Sequence, residues 1–226
     1  MSKNYKTVQP IEVLDFFKDM VGTVAELETA GVLYGGKQYW TLARLQGELN
    51  LAGDITKPYL LLSTSADGSL ATQARLTTVR VVCNNTLSAA ARGRADVVVR
   101  HSSKFDASAV HARIGELYTS LGAHYETMRT LAKIKLDQDK AQSVLTQLAG
   151  TDEMPNGFKR VMALFNGAGM GAESEAAKGT AFGLVQAFTQ FADWEVGRSK
   201  DSRLFNSWFG RTDKLKTDLV ELLTVA

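Results

Sequence analysis

A single cysteine, Cys83, excludes an internal disulfide framework and any cysteine-built zinc cluster in this 226-residue chain, and so fits a reducing compartment. No uninterrupted apolar run approaches the ~20 residues of a membrane-spanning helix. Residues 1–20 mix charged and apolar side chains where a signal peptide needs an apolar stretch. These absences predict a cytoplasmic protein with no membrane partner. Catalytic patterns are missing as well: no nucleophile elbow, Ser/His/Asp arrangement or nuclease-like carboxylate cluster can be picked out, so no catalytic residue is expected. The histidines His101, His111 and His124 share one region. On a helix, however, His111 and His124 point to nearly opposite faces, and no metal site is expected. The glycine-rich loop over 166–179 ends in Lys178-Gly179-Thr180, which is not the Gly-Lys-Ser/Thr order of a phosphate-binding loop. It reads as a connector, and no cofactor is expected.

What the sequence does have is an uneven distribution of charge. The formal net charge is +2, yet residues 70–104 carry six Lys/Arg against the single acid Asp96, a local +5. Residues 1–69 sum to −2, residues 105–150 to zero and residues 151–197 to −3. A concentrated positive field attracts phosphate backbones. The alternative is a solvated strand edge that uses arginines to resist edge-to-edge pairing.

Hydrophobic periodicity predicts an α+β fold, an antiparallel β-meander of four to five strands backed by a long helix and followed by a helical C-terminal portion. Helices are expected over 10–21 and, more briefly, over TVAELET (23–29). Strands are expected near 31–35, 38–45, 58–65 and 70–83, joined by hairpins across Gly35-Gly36 and Asp67-Gly68. Asn84, Asn85 and Thr86 read as helix caps after the last long strand, with Cys83 a small buried side chain at its end. VVVRHS (97–102) is a candidate fifth strand. A long helix is expected from about Asp106, and everything after 137 reads as helical. The domain division that follows is an α+β core over 1–135 and a helical region over 136–226.

Basic and aromatic side chains interleave around the positive segment. Tyr34, Lys37, Tyr39 and Trp40 lie on the first hairpin, Arg75 and Arg80 on the long strand, and Arg92, Arg94, Arg100 and Lys104 after it. Single-stranded nucleic acid needs this combination, because cations neutralise phosphates and rings stack on bases of any identity. Strict alternation puts Arg75 and Arg80 on opposite faces of the strand unless a bulge intervenes.

Four stretches, ETAGVLYGGKQYWTLARL, KPYLLLSTSADGSLATQARLTTVRVVCNNTLSAA, VRHSSKFDASAVHARIG and RLFNSWFGRTDKLKTDLVELL, resemble the phage- and plasmid-borne family of unknown function labelled phage/plasmid-like protein. The resemblance covers nearly the whole chain. Members usually carry a further N-terminal segment, and they tend to have Trp, Asn and His where this chain has Phe182, Gln186 and Trp194. The resemblance implies an accessory protein of a mobile element, similar in outline to phage single-strand annealing recombinases. The function expected is single-stranded DNA binding and annealing by a homo-oligomer, without nucleotide hydrolysis. The nucleic-acid set would be Arg75, Arg80, Arg92, Arg94, Arg100, Lys104, Lys37, Tyr39 and Trp40. The other reading is a non-enzymatic factor that binds a host or phage protein through Phe165, Phe188, Phe191, Trp194, Trp208 and Phe209.

Overall fold

The structure, a computed structural model, describes residues 25–88, 97–99 and 107–225. The architecture is α+β, as the periodicity predicts. Strands β1 (Ala25–Leu33), β2 (Gln38–Leu45), β4 (Asp54–Ser65), β5 (Thr72–Arg80) and β6 (Asn85–Ser88) lie in the order β1-β2-β4-β5-β6. Two short strands join this path, β3 (Leu49–Leu51) on β4 and β7 (Val97–Val99) on β5. Six helices follow among the described residues: α1 (Ala107–Lys133), α2 (Gln138–Ala149), α3 (Asn156–Ala163), α4 (Ala181–Gln190), α5 (Lys200–Phe209) and α6 (Arg211–Val225). A wide π-type turn extends α4 over Phe191–Glu195, while the chain after α3 leaves helical geometry at Asn166 and Gly167 (φ 115°).

The chain divides into two compact units, and the division differs from a single cut near residue 135. The first holds residues 1–47, 57–78 and 89–122; the second holds 48–56, 79–88 and 123–226. The second unit therefore takes the start of β4, the end of β5 and all of β6 together with the C-terminal helices.

In the first unit β1, β2 and β4 are antiparallel neighbours, with Gly31 opposite Trp40 and Trp40 opposite Ser63. The turn at 34–37 uses positive backbone angles at Tyr34 (φ 53°), Gly35 (φ 68°) and Gly36 (φ 89°), as the glycine pair predicts. One face of this sheet is apolar: Ala43, Leu60, Leu62, Ala74 and Leu76 are all fully buried.

In the second unit the core is helical. Met128, Leu131, Leu145, Val161, Leu164, Phe182, Leu184, Phe188, Leu219 and Leu223 pack in one cluster that Leu49 and Leu87 join from the strands. All ten residues of α4 are buried. Gly183 is required there, since a Cβ would stand 1.9 Å from the Ala177 carbonyl oxygen. Side chains satisfy helix starts: Asp137 accepts from the Lys140 amide at 2.8 Å, Thr180 accepts from Gly183 at 3.0 Å, and Ser199 and Ser202 form a reciprocal capping box.

Two sequence expectations are corrected. Residues 25–29 are the first half of strand β1, because pairing with β2 outweighs the helical preference of Ala, Glu and Leu. Asn84-Asn85-Thr86 caps no helix. Asn84 takes a left-handed turn (φ 53°), and Asn85 and Thr86 enter β6. The helix expected over 10–21 lies outside the described residues.

Candidate nucleic-acid interface

The second face of the first unit's sheet is mixed, with Leu42 and Leu61 among polar side chains, and most of it is buried. Directly opposed residues share a face, so Gln38, Trp40, Leu42 and Arg44 of β2 lie with Ser65, Ser63, Leu61 and Tyr59 of β4. The Thr64 and Thr72 hydroxyls bond each other at 2.8 Å, which puts Thr72 on the apolar face. Alternation along β5 then puts Gln73, Arg75 and Thr77 on the same face as Ser63 and Trp40.

Gly31 shapes this surface. A Cβ there would sit 2.6–2.9 Å from three consecutive atoms of the Trp40 indole, so the ring lies over this glycine, half-buried. Nearby, Gln38 donates from Nε2 to Ser69 Oγ at 3.0 Å, which fixes the amide. Its Oε1 and the Ser63 hydroxyl are buried without a hydrogen-bond partner among the described residues. A buried polar atom left unmet costs about 1–3 kcal/mol, so both mark unused hydrogen-bonding capacity beside the ring.

The outer end of the same face is charged. Arg44 donates to Glu26 at 2.6 Å and lies 3.9 Å from Glu28, which accepts from the Tyr59 hydroxyl at 2.8 Å. Burial, followed by the bond to Glu28, pushes the Tyr59 hydroxyl up to about 12. At the turns, Lys37 is exposed. The Ser69 hydroxyl and amide, with a smaller contribution from Lys37, hold the Asp67 carboxyl below its ordinary range.

The residues expected from sequence therefore separate. Trp40 and Arg75 share the mixed face. Tyr39, half-buried, lies on the apolar face, and Lys37 stands on the turn. Arg92, Arg94, Arg100 and Lys104 lie outside the described residues. Arg80 is buried at 2% exposure, and Asp54 holds its guanidinium from both Nε (2.8 Å) and Nη2. Further donation goes to the carbonyls of Met170 (3.0 Å) and Gly171 (2.8 Å), and the cation stands 5.6 Å from the Phe182 ring centre. Burial works against the charged guanidinium, but Asp54 outweighs it and the pKa ends above its ordinary value. Arg80 has no donor left for a phosphate; it is a core cation of the second unit.

A second buried charge in that unit gave no clear signal in the sequence. Lys216, at 1% exposure, donates to Asp193, to the Thr86 carbonyl at 2.7 Å and to Ser207 Oγ at 2.6 Å. Asp193 also accepts from the Thr86 amide (2.6 Å) and hydroxyl (3.0 Å) and from Ser207. The Trp208 indole donates to Thr86 Oγ1 at 3.1 Å, and Trp194 donates to Asn85 at 3.1 Å. The π-type turn at Phe191–Glu195 aims both Asp193 and Trp194 at β6. The signal that was available is Lys216 itself, which occupies the same helical stripe as Leu219 and Leu223 and should read as core. Ser207 beside Lys216 invites a nucleophilic reading, but both are sealed from solvent and out of a substrate's reach.

Of the aromatics offered as a partner surface, Phe165, Phe188 and Trp208 are core residues, and Trp194 is exposed at 49%. Among the described residues no group of three or more His, Cys, Asp or Glu is placed to hold a metal ion. No helix among them is long and apolar enough to cross a membrane.

No curated protein and no solved structure matches the chain. A family model does, over residues 1–211, nearly the full length: the chain belongs to the family described as a domain of unknown function, DUF932.

Proposed function

We propose that the protein is a single-stranded DNA-binding, annealing-type recombination factor of a phage or plasmid, working as a homo-oligomer in the cytoplasm without nucleotide hydrolysis. The observation that carries this reading is that Trp40, seated over Gly31, and Arg75 lie on one face of the β2, β4 and β5 strands. A ring and a cation on one sheet face suit a strand whose bases stack and whose phosphates are neutralised. The charge distribution supports it. Besides Arg80, residues 70–104 hold Arg75, Arg92, Arg94, Arg100 and Lys104 against Asp96. Holding one strand extended removes part of the entropic cost of pairing with its complement, so annealing by such a surface needs positioning and no catalytic group.

Fluorescence anisotropy with a labelled single-stranded oligonucleotide tests this. Affinity falls steeply from 50 to 200 mM salt, and Arg75→Ala lowers the slope of log K against log salt by about one. The double change Arg92→Ala with Arg94→Ala lowers it by about two. Trp40→Ala removes ~1–3 kcal/mol of stacking without changing the salt slope. Absence of binding, or binding indifferent to salt, overturns the reading.

A further inference from the structure

We infer that the outer edge of β1 is a self-pairing surface whose occupant is a second copy of this chain, docked antiparallel about a two-fold axis. β1 ends the strand order, and among the described residues it pairs with β2 alone. Residues 26–30 are exposed without a break. Three of the large apolar side chains most open to solvent belong to this strand and its turn: Leu27 (46%), Val32 (56%) and Tyr34 (38%). An edge strand presents a row of backbone donors and acceptors that template another strand, and proteins blunt such edges with bulges, charges or proline.

Only half of β1 is blunted. The register shifts between Leu27 and Thr29, with Glu28 the extra residue of that irregularity and Glu26 just before it. Residues 29–33, Thr-Ala-Gly-Val-Leu, pair regularly with β2 and carry neither charge nor proline. They leave a flat, neutral run of edge with Gly31 at its centre.

Charge decides what fits there. The acidic end of β1 holds Glu26 and Glu28, and the turn at its other end holds Lys37. A two-fold antiparallel pairing centred near Gly31 sets Glu26 and Glu28 of each copy beside the turn that carries Lys37 of the other, satisfying both ends at once. A parallel pairing stacks like charges instead. Arg44 and Asp67 offset part of each charge, so the complementarity sets direction more than strength. The same pairing brings Ala30 and Val32 of one copy, which share a face, against those of the other. This inference does not depend on nucleic-acid binding.

Light scattering on the eluting full chain reads the outcome directly. The expected mass is at least twice 24.6 kDa at micromolar concentration. Val32→Lys sets two ammonium groups beside the axis and weakens association at least tenfold, whereas Val81→Lys, at an exposed valine (46%) of the second unit, leaves the mass unchanged. Lys37→Glu weakens association several-fold at low salt. Because Val32→Lys could impair folding, a second arm uses Val32→Cys with a short bis-maleimide. It gives a covalent dimer in high yield, while Val81→Cys gives none and Cys83 is buried. A strict monomer overturns the inference, as does a folded Val32→Lys chain of unchanged mass or equal crosslinking at positions 32 and 81.

Discussion

Arg44 and Glu26 of the first unit meet with 40% and 72% of their side-chain surface exposed, whereas Arg80 and Asp54 of the second keep 2% and 0%. Lys216 and Asp193, also in the second unit, keep 1% and 6%. An exposed pair contributes about 0–1 kcal/mol, since water and salt screen it. A buried pair is tolerated only when nearly every donor and acceptor is met, and here each is: Asp54 also accepts from Ser174 at 2.8 Å, and Asp193 from Thr86 and Ser207. The difference teaches that position in a basic segment does not make an arginine a ligand for phosphate. Arg75 and Arg80 stand five residues apart on one strand, and the first lies on a mixed sheet face while the second neutralises a buried carboxylate.

The sharpest way to break this contrast is to remove one partner from each pair. Lys216→Met leaves the Asp193 carboxylate buried with only the donors of Thr86 and Ser207, and should cost about 3–5 kcal/mol. Arg80→Met should behave alike through Asp54, while Arg44→Ala should cost far less, since water and salt screen its pair. Urea titration followed by tryptophan fluorescence measures all three. If Arg44→Ala proves as damaging as Lys216→Met, burial is not what separates the two units. Under the DNA reading, a loss of binding in Arg80→Met should follow its loss of fold, unlike that expected of Arg75→Ala.

Much of this architecture was legible in the sequence, because hydrophobic period and glycine turns are local signals. β2, the 34–37 hairpin, α1 and the C-terminal helices fall close to where pattern puts them. β6 was not legible: Asn85 and Thr86 favour helix caps locally, and what makes them strand residues is Asp193 and Trp194, more than a hundred positions away. The site divided similarly. Trp40 and Arg75 were visible as residue types, but their shared face depends on the register of β2 with β4. That Arg80 belongs to the core required knowing that Asp54 and the carbonyls of 170 and 171 converge on it.

A weaker test compares two tyrosines. Tyr59 in the first unit donates to half-exposed Glu28, while the buried Tyr125 hydroxyl in the second has no hydrogen-bond partner among the described residues. Each is pushed up to about 12, chiefly by burial. The fold then holds a phenolic proton that the unfolded chain releases near pH 10. Stability from this source is complete below pH 10 and is lost as pH rises through about 12. Tyr59→Phe should cost roughly 1 kcal/mol at neutral pH, since screening weakens the bond to Glu28, and should flatten the decline above pH 10. Tyr125→Phe should flatten the same decline at almost no neutral-pH cost, because no bond is lost. Equal neutral-pH costs would erase the distinction between a met and an unmet hydroxyl.

The smallest effect concerns Ser63, and its sign matters more than its size. A hydroxyl buried at 1% exposure without a partner is already at a disadvantage in the folded state, so Ser63→Ala removes an unmet group and leaves a gap of one oxygen atom. The expected change is between zero and a gain of about 1 kcal/mol. Most truncations in a sheet this well packed destabilise, so neutrality at this position would itself be diagnostic. Under the DNA reading the same substitution should leave both oligonucleotide binding and the salt slope unchanged, because a hydroxyl at 1% exposure lies out of a ligand's reach and carries no charge. A loss of more than about 1 kcal/mol of stability in Ser63→Ala would mean that the hydroxyl is already bonded in the folded protein, and Ser63 would no longer count as an unmet polar group of this face.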